Sequence, residues 1–247
     1  MRYLFRVVTL VLTLTIGLVG QGMAVSITLQ NATATFSQVD YTVPAAIDGD
    51  KTSTGVGSGW AISDYIVDQT AVFETDTNVG FSGGTLLTFL LYQEYYMPNH
   101  LLGRFRLSIT TDNRNDFADG LSVSGDVTAN WSILTPNTEV SLNGATMTVL
   151  SDNSILVSGT NPSVDTYTVT AITSITNITG VRLEVLEDSS LPFSGPGRRG
   201  DNGNFVLTEL TLDATEVPTN GVPEPATMLL LGLGLMGIAG VKRKFQK

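Results

Sequence analysis

The chain contains no cysteine, and a single histidine, His100, among its 247 residues. The first absence excludes disulfides, zinc ribbons, iron–sulfur clusters and thiol nucleophiles together. The second excludes any metal site built from several histidines. Charge is scarce too: 15% of residues are charged, too few for a solvated disordered chain, while 42% are hydrophobic, enough for a core. Of the 13 basic residues, six stand at the ends: Arg2 and Arg6, then Lys242, Arg243, Lys244 and Lys247. Between them, seven basic residues face all 23 acidic ones, a surface that repels phosphates and excludes nucleic acid as a partner. Outside two terminal apolar runs there is no sustained helical stripe, and no repeat of about 20–50 residues points to a propeller or solenoid.

The two ends read as addresses. Arg2 and Arg6 precede an apolar run from Val7 to Gly20, and Gly22 and Ala24 put small residues before a cleavage point after Ala24. Residues 1–24 therefore read as a secretory signal peptide, with a retained anchor as the alternative; export follows in either case. An exported chain without cysteine draws its stability from core burial. At the other end VPEP, from Val222 to Pro225, precedes the 16-residue apolar run Ala226 to Val241 and the basic tail KRKFQK. As a helix that run spans about 24 Å, just short of the hydrocarbon core, so a transmembrane helix is expected over 226–241. Its basic flank would stay cytoplasmic and the bulk of the chain outside.

This ordered set, residues 222–247, resembles the PEP-CTERM sorting signal of Gram-negative bacteria. The resemblance implies that an exosortase recognises Pro223, Glu224 and Pro225, cleaves nearby and releases an inner-membrane-anchored precursor to the cell surface or extracellular matrix. A plain C-terminal anchor behind a Pro-bounded linker is the alternative.

Residues 25–214 are β-patterned throughout. The runs at 85–96, 104–111, 165–172, 181–187 and 204–212 are rich in β-branched and aromatic residues, several alternating with period two. Turn chemistry separates them: DGD, SGG, DNRND, LNG, SDNS, TNPS and SGPGRRGDNG. Many short strands so spaced predict an all-β, two-layer sandwich or jelly roll. Residues 215–221, polar with Pro and Gly, read as the spacer to the sorting signal.

Within this domain AAIDGDKTSTGVGSGWAI (45–62) is similar to discoidin, or coagulation-factor type C, domains and related carbohydrate-binding modules. With LGRFRLS, LPFSGPGR and GNFVLTEL added, the stretch from about 30 to 214 resembles the galactose-binding-like sandwich of large planctomycete surface proteins that also carry cytochrome-c-type domains. The C-x-x-C-H haem attachment sequence of those proteins is absent here, so no redox role follows. The resemblance implies a jelly-roll fold and, in the DGD loop, a structural calcium completed by a Glu of the last strand. The matching positions are Asp48, Asp50 and Glu209, with Ser53 or Thr54 as the hydroxyl or carbonyl ligand. Closely spaced Asp carboxylates and turn carbonyls do supply the oxygen ligands that calcium takes. An ordinary turn with solvated carboxylates is the alternative.

Other candidates are weighed on their own residues. Trp60 is either a sugar platform or core packing beneath the loop, and the resembling modules use it as core. Trp131 and the tyrosines Tyr92, Tyr95 and Tyr96 are alternatives for a ligand face, with Trp131 and Tyr95 put forward. GFSGG (80–84) spells G-x-S-x-G, but a β run follows where a nucleophile elbow needs a helix, so it reads as a turn despite His100 as a possible base. DNRNDFADG (112–120) places Arg114 at a ligand position of an EF-hand loop and lacks the closing Glu. Glu184, Glu187 and Asp188 show no spacing that sets two carboxylates across a cleft. Arg198 and Arg199 either hold an anionic group or pair with neighbouring acids. These readings converge on a non-catalytic, exported surface protein that binds carbohydrate or exopolysaccharide, with a glycan-active hydrolase or a purely structural matrix protein as alternatives.

Overall fold

In the run TLLTFLLYQ every second side chain is buried, from Thr85 through Leu87, Phe89 and Leu91 to Gln93, and the intervening ones face out. That is the period of a strand with one face on a core and the other toward water. A computed structural model describes residues 23–52, 55–63 and 65–217. The signal-peptide body, Ser53, Thr54, the sorting residues Pro223, Glu224 and Pro225, and the helix expected over 226–241 lie outside the described residues.

Fourteen strands form in chain order among the described residues. The first four are β1 (Val25–Ile27), β2 (Leu29–Ala34), β3 (Trp60–Ala61) and β4 (Gln69–Val79). β5 (Thr85–Gln93), β6 (Arg104–Thr110), β7 (Ser132–Ile133) and β8 (Thr138–Ser141) follow. A hairpin of β9 (Ala145–Val149) and β10 (Ile155–Gly159) precedes β11 (Asp165–Thr173) and β12 (Ile178–Val185). β13 (Val206–Leu207) and β14 (Glu209–Glu216) close the domain.

One sheet runs β1-β14-β5-β11-β8; the other runs β2-β4-β12-β6-β10-β9 with β7 added beside β6. All pairings are antiparallel. Successive long strands change sheet: β4 to β5, β5 to β6, β10 to β11, β11 to β12. The chain is therefore an all-β sandwich whose pairing partners are mostly distant in sequence, as in jelly rolls. Both inner faces meet in one apolar cluster, with Leu87, Phe89 and Leu91 from one sheet and Phe73, Phe105, Ile109 and Leu183 from the other. Trp60 is fully buried in that cluster, its ring edge-on to Phe205 at 5.2 Å and its Nε1 donating to the Phe36 carbonyl at 3.0 Å. The platform alternative for Trp60 is thereby settled in favour of core.

Two expected runs come out shorter or divided. The run 85–96 ends as a strand at Gln93, because the next backbone N–H, of Glu94, is taken by the Thr208 hydroxyl at 3.2 Å. The run 204–212 is split at Thr208: Val206 and Leu207 pair with β3, while Glu209 onward pairs with β5. β14 also continues to Glu216, two residues beyond the expected edge at 214, since Thr215 and Glu216 find partners in Leu86 and Thr85.

The outer faces of the two sheets differ. On β6 and β12 the outward residues are charged: Arg106 holds Glu184 through two bonds of 2.8 and 3.0 Å, and Arg182 reaches the same carboxylate at 3.0 Å. On β5 and β11 the outward residues are uncharged, chiefly threonine and leucine.

Candidate functional site

The DGD loop and the last strand do meet. The Gly49 N–H donates to Glu209 Oε2 at 3.1 Å, and the Thr208 hydroxyl donates to the Lys51 carbonyl at 2.9 Å. Asp48 Oδ1 accepts the Asp50 N–H at 2.9 Å and Asp50 Oδ1 accepts that of Thr52 at 3.1 Å, so each aspartate folds its own turn. Lys51 is the neighbouring cation, its Nζ 3.1 Å from the Tyr92 hydroxyl. Burial pushes the Glu209 carboxyl up to about 7; the Gly49 N–H and Lys51 oppose this, and Asp48 and Asp50 add to it. Among the described residues no three acidic or histidine side chains stand converged as a ready metal cluster.

A second site lies where three loops meet: 96–100, 159–163 and the glycine-rich 195–204. Its shape is fixed by backbone packed on backbone. The Gly197 N–H donates to the Gly203 carbonyl at 2.9 Å, and a Cβ on Gly197 would sit 2.1 Å from the Asn204 oxygen. Gly203 has φ +71° and a Cβ there would lie 2.4 Å from the Pro192 oxygen, so both positions require glycine. The loop so held presents Arg198 inward and Arg199 outward. Arg198 is buried and donates to the carbonyls of Thr160 and Gly159 at 2.9 and 3.0 Å. Arg199 grips Asp201 through bonds of 2.7 and 2.8 Å and donates to the Pro98 carbonyl at 2.7 Å.

Between these groups lies an open groove of about 520 Å³ lined by Asn99, Asn161, Arg199, Gly200 and Asp201. Asn161 also borders a second recess of about 280 Å³ that includes Ser158, Ser190 and Arg198. The two asparagines are fixed by their amide nitrogens: Asn99 Nδ2 donates to the Asn161 and Pro162 carbonyls at 2.8 and 2.9 Å, and Asn161 Nδ2 to the Arg198 carbonyl at 3.2 Å. Their side-chain oxygens have no protein donor among the described residues. Arg199 holds the Asp201 carboxyl below its ordinary range, so it is ionised at neutral pH. Tyr96 and Met97, exposed in the same segment as Asn99, supply apolar surface next in sequence to the groove.

The aromatic candidates fare unevenly. Tyr95 is 5% exposed, its hydroxyl bonded to that of Tyr41 and its ring edge-on to His100 at 5.1 Å. Tyr95 is thus core, not a ligand face, because β5 stops before it and the chain turns inward. Trp131 is half-buried: its edge meets Phe117 at 5.5 Å, the Arg182 guanidinium sits 5.3 Å from its ring, and Nε1 donates to the Val127 carbonyl at 2.9 Å. It closes a small cluster over Val72. His100 is buried, Nδ1 against the Met97 carbonyl at 3.1 Å, and burial lowers its pKa, so it serves packing. Of Arg198 and Arg199, Arg199 pairs with a neighbouring acid, Asp201, while Arg198 is taken up by backbone carbonyls. Asn99 and Asn161 were not singled out by the sequence, where TNPS reads as a turn, and only the fold brings them together.

At the C-terminus, residues 221–244 match the PEP-CTERM protein-sorting motif. The chain is therefore an exported protein processed at the membrane. No curated protein matches the chain. Several solved structures do. One is the family 32 CBM of NanJ from C. perfringens in complex with galactose, at 11% identity and a TM-score of 0.38, covering 77% of this chain and 99% of that one. Another is CBM32-3 from a family 31 glycoside hydrolase of Clostridium perfringens, at 12% and 0.41, covering 75% and 94%. A third comes from the β-galactosidase BgaA of Streptococcus pneumoniae, at 11% and 0.44, covering 77% and 98%.

Proposed function

We propose that the protein is released by an exosortase to the cell surface or matrix of a Gram-negative bacterium. Its sandwich there holds an extracellular polysaccharide without cleaving it. The carrying observation is the groove of Asn99, Asn161, Arg199 and Asp201. Sugar hydroxyls are bound by planar amide, guanidinium and carboxylate groups that are already oriented, and the internal bonds of this groove hold all four side chains in place. The carboxylate of β12 does not suit hydrolysis, since Glu184 is shared between two guanidinium groups. A glycan array with the wild-type chain and Asp201→Asn tests the reading. Binding that weakens about tenfold in the variant supports it; a silent array, or unchanged binding in the variant, removes the groove from the function.

For the DGD loop we propose calcium. Three carboxylates, Asp48, Asp50 and Glu209, and the loop carbonyls are hard oxygen donors, with Lys51 as the neighbouring counter-charge. The ion would contribute stability to the loop rather than chemistry to the groove.

A further inference from the structure

The open face of the five-stranded sheet carries an ordered array that no part of the groove uses. Its outward residues lie in register across the strands: Leu90 stands between Thr211 and Thr168, and Thr88 between Asp213 and Thr170. Beyond β11, Val140 continues the first row and Thr138 the second. We infer that this face is a second glycan-contacting surface, which takes an extended, uncharged polysaccharide laid flat across the strands.

Three observations carry this. The first is charge: in a domain dominated by acids, the outward positions of β5, β11 and β8 named above hold none, and Asp213 and Glu209 are confined to β14. A neutral polymer meets no repulsion there, whereas an anionic one approaches an acidic surround. The second is chemistry. Each threonine sets a methyl beside a hydroxyl, the same mixture of apolar and hydrogen-bonding surface that the face of a sugar ring offers. The hydroxyls of Thr88, Thr168 and Thr211 have no protein partner among the described residues, while Thr138 and Thr170 bond one another at 2.7 Å.

The third is size. Five strands at about 4.8 Å and at most four rows at about 6.8 Å give a face of no more than about 20 by 20 Å, or about 400 Å², since β1 and β8 carry fewer rows. A standard protein interface needs about 800 Å² from each partner, so a second copy of the chain would be held poorly. A polymer suffers no such deficit, because many molecules bind along one strand of it. The opposite outer face offers no comparable surface: it is crossed by the Arg106–Glu184–Arg182 ion pairs and capped by Trp131.

This inference does not depend on the groove, and its test separates the two. The full chain, in mild detergent, is passed over amorphous cellulose, cross-linked dextran and an alginate gel. Retention on at least one neutral polymer, unchanged by high salt and absent on alginate, is expected. Thr168→Glu and Thr211→Lys, on different strands, should each weaken it at least tenfold while melting within a few degrees of wild type, and Thr168→Ser should restore it. Asp201→Asn should leave it unaltered. Retention lost in Asp201→Asn but kept in both charged variants would place the binding in the groove and overturn the inference. Wild-type retention in both charged variants, stronger binding to alginate, or no retention on either neutral polymer overturns the inference. So does a dimer in sedimentation that Thr168→Glu dissolves, since the face would then join two copies. Should one charged variant fail to fold, the other decides.

Discussion

Glu209 connects the end of the sandwich to the loop near its beginning, and its titration gives the sharpest test of that junction. In the folded domain, without a metal, burial raises the carboxyl from 4.5 to about 7. The groups facing it are Asp48, Asp50, Lys51 and the Gly49 N–H on the loop, and Tyr92 opposite on β5. For a raised acid the native state is favoured while the group is protonated. The advantage is complete below about 4.5, shrinks as the pH rises and is lost once the folded group ionises near 7. At 1.36 kcal/mol per pH unit the loss is about 3 kcal/mol between pH 4.5 and pH 8. For a domain of this size that lowers the melting temperature by roughly 6–12 °C. Melts in chelator at pH 5 and pH 8 should show this difference in the wild type. Glu209→Gln, neutral at both, should abolish the part due to this residue. Calcium opposes this loss at pH 8 by favouring the carboxylate; at a hundred times its dissociation constant it adds about 2.7 kcal/mol. Equal pH slopes for wild type and Glu209→Gln would refute the titration argument. Identical melts with calcium and chelator would leave the loop a hydrogen-bonded turn.

Gly197→Ala should destabilise by about 1–3 kcal/mol, seen as a lower denaturant midpoint, because its Cβ meets the Asn204 carbonyl at 2.1 Å and that backbone cannot yield alone. Glu224→Ala, or deletion of 226–247, should stop conversion of the precursor to a shorter surface form in a host with an exosortase; unaltered fractionation in the variants would reject that role for the motif. Incubation of the purified chain with polysaccharides should release no reducing ends above a boiled control. Release abolished by a single Asp or Glu substitution would instead establish a hydrolase.

The alternation in 85–93 made β5 legible, since a strand with one wet face writes its period into the sequence. The turn chemistry of SDNS was equally local: Asn153 adopts φ +62° and the Asp152 carboxylate accepts the Ser154 N–H, both properties of those residue types. The run 204–212 was legible as β but not as two strands in different sheets. What divides it is the Thr208 hydroxyl capping Glu94, a contact across 114 residues. Tyr95 and Trp131 show the same limit. An aromatic residue looks alike in sequence whether its ring lies under a loop or open to a ligand, and burial is decided by what packs on it.

By itself the sequence determined the all-β class, the turns, the absence of thiol and multi-histidine chemistry and the terminal sorting address. Each of these rests on composition, period or a contiguous motif, and neighbours along the chain suffice to specify it. Tertiary structure alone decided that Asn99, Asn161, Arg199 and Asp201 share a groove, that Glu209 takes the Gly49 N–H, and that threonines of β5, β11 and β14 form one face whose acids are confined to β14. These groups are brought together by strand pairings between segments far apart in the chain. In a sandwich whose consecutive strands change sheets, such pairings are set by how the whole core packs rather than by local pattern.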